Sequence, residues 1–127
     1  MDTEAFETGV LEHWTPKETK KALERGEIVL IDVRTPQEFA LERIDGALLS
    51  PMHSLRPAHM PGQTDKRIVF HCGSGVRSGK VAEKCLAGGF GRVAHMKGGF
   101  AAWKDAGLEY TGTDMATGAP KVMRKSD

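Results

Sequence analysis

The chain's capacity for chemistry is concentrated in one stretch, Ile68-Val69-Phe70-His71-Cys72-Gly73-Ser74-Gly75-Val76-Arg77-Ser78, where a cysteine stands between an apolar run and a glycine loop. The run before it is short and β-prone, the pattern of a buried strand. After Gly75 the spacing turns helical, with Val81, Ala82, Cys85 and Leu86 on one side and Lys80, Glu83 and Lys84 on the other. Cys72 is thereby placed at a strand's C-terminal end and a helix's N-terminal end, where unpaired backbone N–H groups and the helix dipole favour an anion. Such surroundings lower a thiol pKa from roughly 8.5 into the range of about 3.5–7.5, and the thiolate is the nucleophile. The N–H groups of Gly73, Ser74, Gly75, Val76, Arg77 and Ser78 are expected to ring the sulfur as an anion hole. Arg77 adds a permanent charge that either attracts an anionic substrate or orients the loop through carboxylates. Ser78 either hydrogen-bonds the sulfur or caps the helix.

Other reactive side chains read as structural. Cys85 lies on the apolar face of the helix that follows Cys72 and is expected to be packing. It sits about ten residues along that helix, or roughly 15 Å at 1.5 Å per residue, so the two cysteines are separate thiols. Cys72, Cys85, His71 and His95 lack the close paired spacing of a structural zinc site, and no metal or cofactor is expected. His71 points to the opposite strand face from Cys72 and reads as structural. His53, His59 and Met60 belong to a loop that either lines the rim of a pocket or is simply solvated.

These residues need a scaffold. Thr15-Pro16-Lys17-Glu18 and Thr35-Pro36-Gln37-Glu38 both combine a capping-box pattern with a proline in the first turn, predicting helices to about Arg25 and Leu41. Between them Ile28-Val29-Leu30-Ile31 reads as a core strand carrying Asp32 and Arg34 at its C-terminal end. Ala47-Leu48-Leu49 is a further strand, Ser50 to Gln63 is irregular with one helical turn, and Val93-Ala94-His95 is a last short strand. Gly98-Gly99 then precedes a helix that Phe100 and Trp103 anchor in the core and that stops near Gly107. Strands alternating with helices predict an α/β fold, a mostly parallel sheet with helices on both faces, whose ligands bind at the carboxyl ends of the strands. Cys72 is at such an end.

With 127 residues the chain makes one domain, read as residues 15–110 between an N-terminal extension (1–14) and a flexible polar tail (111–127). Lys and Arg total 18 against 17 Asp and Glu, which gives no electrostatic case for nucleic acid or an anionic membrane. The acidic start lacks the features of a secretory signal and nothing approaches a membrane span, so a cytoplasmic location is expected.

Asp32-Val33-Arg34, the Glu38-Phe39 pair, Ile44-Asp45-Gly46-Ala47, the Cys72 loop and Gly98-Gly99-Phe100 followed by Trp103 resemble, in that order, a single-domain rhodanese, over roughly Thr15 to Leu108. The resemblance implies a sulfurtransferase. Cys72 would take a sulfane sulfur from a small donor anion such as thiosulfate, hold it as a persulfide, and pass it to cyanide, a thiol or a dithiol protein. It also implies that Asp32 and Arg34 support the active loop or close a salt-bridge network, with Glu38 as their partner. The loop Cys72-Gly73-Ser74-Gly75-Val76 is similar to that of mercaptopyruvate sulfurtransferases, but Arg77 stands where those have threonine, and Gly73 supplies no basic residue of the kind thiosulfate-using rhodaneses often carry.

Two other classes use similar residues. A persulfide carrier or partner-binding module on the same fold would keep the same loop without turnover. A cysteine-dependent phosphatase or arsenate reductase has a like cradle, but such enzymes resemble each other in placing five residues between cysteine and arginine. Cys72 and Arg77 enclose four, Gly73 to Val76. The shorter ring suits one sulfur better than a tetrahedral oxyanion.

Overall fold

The first fourteen residues, expected to lie outside the domain, are built into its central sheet. In the computed structural model, which describes residues 1–124, β1 (Asp2–Phe6) folds back antiparallel on β2 (Gly9–Trp14). β2 in turn runs parallel to β7 (Gly91–Met96), with His13 opposite His95. No apolar alternation announces this hairpin, because β1 is an edge strand and β2 buries just Leu11 and Glu12. Glu12 stays ionised there. Burial opposes its charge, but hydrogen bonds from Trp14, Arg92 and Arg67 outweigh that and hold its pKa below the usual carboxylate value.

The two Thr-Pro segments start helices as their spacing requires. Thr15 Oγ1 accepts from the Glu18 N–H at 3.1 Å while Glu18 accepts from the Thr15 N–H at 2.9 Å, opening α1 (Pro16–Glu24). Thr35 and Glu38 repeat the exchange at 3.2 and 3.0 Å, opening α2 (Pro36–Leu41). Each box satisfies two backbone donors that the helix leaves unpaired. Between these helices runs β3 (Ile28–Asp32); after them come β4 (Glu42–Arg43), β5 (Leu48–Leu49), a single 3-10 turn at Pro57–His59, and β6 (Arg67–His71). α3 (Val76–Cys85) widens into one broader turn, Leu86–Phe90, before β7, and α4 (Gly99–Asp105) follows it.

The six-stranded sheet has the order β1-β2-β7-β6-β3-β5, and every pairing but the first is parallel. Its alternating side chains fill two cores. Ile31, Ile68, Phe70 and Val93 meet Val81, Ala82 and Cys85 of α3 and Leu86 of the turn after it on one face. Leu30, Val69, Ala94 and Met96 meet Ala22 of α1 and Phe100 and Trp103 of α4 on the other. Helices therefore cover both faces, as parallel strands buried on both sides require.

The polar tail is also largely ordered into strands. β8 (Tyr110–Thr113) and β9 (Pro120–Met123) pair antiparallel, and β8 adds to β4, making a small second sheet. Thr113 Oγ1 donates to Ala40 O at 2.9 Å and fastens this sheet to α2. Backbone pairing, not apolar burial, creates it, so composition gave no sign of it. The last part of the expected tail, 125–127, lies outside the described residues. Among the described residues no helix is long and apolar enough to cross a membrane.

Candidate active site

Cys72 follows β6 directly and its side chain is fully buried on the α3 face. Its Sγ accepts from the Gly75 N–H at 3.1 Å and the Ser78 N–H at 3.3 Å, and Ser78 Oγ lies 3.6 Å away. The loop can close around the sulfur because Gly75 takes φ +99°, a left-handed conformation that suits glycine, and because a β-carbon there would lie 3.1 Å from Gly98 N. The start of α4 clamps the loop from behind. Phe100 N–H donates to Cys72 O at 2.8 Å and Ala101 N–H to Gly73 O at 3.0 Å. Gly99, at φ +62°, makes that approach possible: a β-carbon would fall 2.6 Å from Cys72 O.

These contacts decide the charge on sulfur. Burial opposes a thiolate, yet the N–H and hydroxyl of Ser78 with the N–H groups of Ser74 and Gly75 outweigh it, and the Cys72 pKa falls below its ordinary value. Cys85 has no such donors. Buried on the same core face, it has its thiol pushed up to about 11 by desolvation, which leaves it an uncharged packing group.

Arg77 is held by a carboxylate of α2. Its guanidinium is gripped by Glu38, with Nη1–Oε1 at 2.7 Å and Nη2–Oε2 at 3.0 Å. Of the two roles open to Arg77 in the sequence, this pairing fits orientation of the loop through a carboxylate. It also corrects the expected partner of Glu38, which is Arg77 and not the Asp32–Arg34 pair. The hydrogen bond from Arg77 holds the Glu38 carboxyl at about 2. The guanidinium also lies over the residue after the nucleophile, since a β-carbon on Gly73 would be 3.2 Å from Arg77 Nη2.

Asp32 and Arg34 bind each other beneath the loop. Arg34 donates to Asp32 through Nε at 3.0 Å and Nη2 at 2.8 Å, reaches Glu42 O at 2.7 Å, and stacks 4.8 Å from the centre of the Phe100 ring. Both are buried. His71, on the opposite strand face from Cys72, packs edge-on against Phe100 with Nε2 3.5 Å from Asp32 Oδ2. Burial depresses its pKa. A cleft of about 130 Å³ beside Arg77 is lined by Val33, Arg34, Pro36, Met52 and His53. His53 is therefore at a pocket rim, whereas Met60 packs on the core and His59 is exposed.

The sequence reading assigned no role in the site to two histidines. Ser78 Oγ is 2.9 Å from His95 Nδ1, His95 Nε2 is 2.8 Å from His13 Nδ1, and His13 Nε2 is 3.1 Å from Glu4 Oε1. The alternation that puts Val93 on the Cys72 face puts His95 there too, a usable signal. His13 had none, because its placement depends on the pairing of β2 with β7. Among the described residues no cluster of three or more His, Cys, Asp or Glu is arranged to hold a metal ion.

Comparison with known proteins places the chain in a family. A family described as Rhodanese-like domain matches residues 15–106. A sulfurtransferase of Allochromatium vinosum is 38% identical over 84 residues, which span 65% of this chain and 77% of that protein. Other curated relatives at 36% identity are longer, and the chain spans 52% of one and 24% of another. The crystal structure of a rhodanese-like domain protein from Staphylococcus aureus superposes with a TM-score of 0.64 at 34% identity, covering 77% of this chain and 96% of that one. A Rhodopseudomonas palustris protein of unknown function, described as a possible tyrosine phosphatase, superposes with a TM-score of 0.63 at 29% identity, covering 76% and 81%.

Proposed function

The chain belongs to the rhodanese-like family, and from that premise we propose that it is a sulfurtransferase that carries sulfane sulfur as a persulfide on Cys72. The observation that carries this reading is the set of donors around one buried sulfur: two backbone N–H groups at 3.1 and 3.3 Å and a serine hydroxyl at 3.6 Å. Such a nest stabilises a single anionic atom before and after it is extended by one sulfur.

The cycle has two displacements. Cys72 thiolate attacks the outer sulfur of a donor such as thiosulfate; the new S–S bond forms as the old one breaks, and sulfite leaves with the electron pair. Cyanide or a thiolate then attacks the outer sulfur of the persulfide, and Cys72 departs as thiolate. The nest lowers the cost of the anion at each stage. The Asp32–Arg34 pair and the N-terminus of α4 hold the loop, and Arg77 fixes its outer side to α2. Because Cys72 is 0% exposed, donor entry requires the outer loop residues Ser74 and Val76 to give way next to the cleft. The two free thiols fit a reducing compartment.

The phosphatase reading is weaker on geometry, since the guanidinium that would hold phosphate oxygens is engaged by Glu38. Steady-state assays with thiosulfate and with mercaptopyruvate, each with cyanide and with a dithiol acceptor, test the proposal alongside an aryl phosphate. Catalytic sulfur transfer that is lost in Cys72→Ala supports it. Stoichiometric loading without turnover indicates a carrier, and aryl phosphate hydrolysis through Cys72 without sulfur transfer overturns it.

A further inference from the structure

We propose that Ser78, His95, His13 and Glu4 form a proton relay that carries the Cys72 proton out of the closed site to the N-terminal hairpin. The relay serves the thiolate chemistry proposed above and deepens that reading. Its basis is a continuous hydrogen-bonded chain from the buried sulfur to a surface carboxylate, with steps of 3.6, 2.9, 2.8 and 3.1 Å. Cys72 and Ser78 are fully buried and His95 nearly so, while the His13 and Glu4 side chains are 24% and 55% exposed. The chain thus runs from dry to wet. Half of it lies in β1 and β2, before residue 15 where the family match begins.

The polarity of each link is fixed by its neighbours. Glu4 accepts, so His13 Nε2 carries a proton. If His13 is neutral, its Nδ1 is bare and must accept from His95 Nε2–H. His95 Nδ1 is then bare and accepts from the Ser78 hydroxyl, and the Cys72 thiol donates to Ser78 Oγ. If His13 is an imidazolium, the three inner links reverse: His13 Nδ1–H donates to His95 Nε2, His95 Nδ1–H to Ser78 Oγ, and Ser78 O–H to a Cys72 thiolate.

The two arrangements hold the same number of protons. They differ by three hops, in which the S–H, Ser78 O–H and His95 Nε2–H bonds break while new bonds form at Ser78 Oγ, His95 Nδ1 and His13 Nδ1. Electrons stay with the atoms they leave, so no oxidant or further base is needed. The product is a thiolate in the N–H nest and an imidazolium beside Glu4. His95 stays neutral throughout by exchanging tautomers. Its environment favours that role: burial first, then the charge of His13, keep its pKa at about 4, against the opposing pull of Glu4.

Other groups near the chain leave this logic intact. Asp2 is the cross-strand partner of His13 on β1 and shares its face with Glu4, adding negative charge that favours the imidazolium. β7 contributes His95, and α3 presents Ser78 and the backbone of Gly79 to it, a β-carbon on Gly79 lying 3.6 Å from His95 Cε1. The Gly75 carbonyl, 3.3 Å from Ser78 Oγ, competes for the serine proton without joining the path.

The consequence is reciprocal coupling: protonation of His13 favours thiolate at Cys72, and thiolate favours protonation of His13 by the same factor. Alkylation of Cys72 by iodoacetamide reads thiolate without any sulfur donor, so it succeeds or fails independently of the sulfurtransferase reading. His13→Phe and the exposed Glu4→Gln are each expected to move the alkylation midpoint upward. Glu4→Gln has the smaller effect, and the rate at pH 7 falls roughly three- to tenfold, the equivalent of up to about one pK unit. In nitrogen NMR of the histidine rings, wild type with its Cys72 thiolate should show His95 as the Nδ1–H tautomer. Cys72→Ala should shift His95 toward Nε2–H. The NMR comparison needs no substitution in the hairpin, so a misfolded His13→Phe does not protect the proposal. Unchanged alkylation midpoints in folded His13→Phe and Glu4→Gln, or a His95 tautomer indifferent to loss of Cys72, overturn it.

Discussion

Arg77 and Glu38 face each other with two guanidinium nitrogens on two carboxylate oxygens, at 2.7 and 3.0 Å, which ties the arginine of the loop to a carboxylate of α2. The thiolate therefore depends on backbone amides and Ser78, and Arg77 acts as the latch between the loop and α2.

If the latch account is right, Arg77→Ala and Glu38→Ala should slow sulfur transfer alike, each by on the order of tenfold through misplacement of the loop, and the double variant should be no worse than either single one. Stability should fall by about 1 kcal/mol or less, because both side chains are a third exposed. The pH dependence has a definite sign. The Glu38 carboxyl moves from 4.5 down to about 2 on folding, so its contribution is complete above 4.5 and is lost as the pH falls toward 2. Urea unfolding of wild type and Glu38→Gln should show a stability gap that is flat above pH 4.5 and closes below it. A gap unaffected by acid contradicts the assignment.

Gly99→Ala should be far more damaging than Gly26→Ala, although both glycines take positive φ, +62° and +70°. At Gly26 nothing lies within 4 Å of a new β-carbon, so the cost is backbone strain alone, about 1 kcal/mol. At Gly99 the β-carbon would strike the Cys72 carbonyl at 2.6 Å and displace the loop. Sulfur transfer should survive the first substitution and drop by roughly a hundredfold or more in the second. Equal activities in the two variants would show that the α4 clamp does not position Cys72.

The parts of this site that could be read from sequence are those set by local rules. Thr15 and Thr35 write their capping boxes within four residues, and the Cys72 loop declares itself through a β-prone run, two glycines and a helical period. β1, β2, β8 and β9 could not be read in the same way, because they are short or edge strands stabilised by backbone pairing, with little apolar alternation to show it. The partner of Glu38 is hidden for a related reason: Arg77 lies 39 residues away, while the basic Arg34 stands nearby in sequence. His13 and His95 are 82 residues apart, and their contact is set by the register of β2 on β7.

His95 gives the protein a specific acid sensitivity. Burial lowers its pKa from 6.5 to about 4, so the unfolded chain takes up the proton first as the pH falls. The neutral, folded form is fully favoured above 6.5, and its advantage is lost between 6.5 and 4, by about 3 kcal/mol. Thermal or urea unfolding of His95→Leu should lack most of this decline, while wild type should show it. Parallel stability curves for the two proteins over that range would contradict a neutral, buried His95.

The most direct measurement is the sulfur content of the protein itself. Wild type, Cys72→Ala and Cys85→Ala are mixed with excess thiosulfate or mercaptopyruvate, freed of donor, and weighed by intact-mass and peptide mass spectrometry before and after addition of cyanide. The account predicts that wild type and Cys85→Ala gain the mass of one sulfur atom, located on Cys72, and lose it to cyanide as thiocyanate appears. Cys72→Ala should gain nothing. Sulfur found on Cys85, or retained by Cys72→Ala, or absent from folded wild type with both donors while an aryl phosphate is hydrolysed, would contradict it.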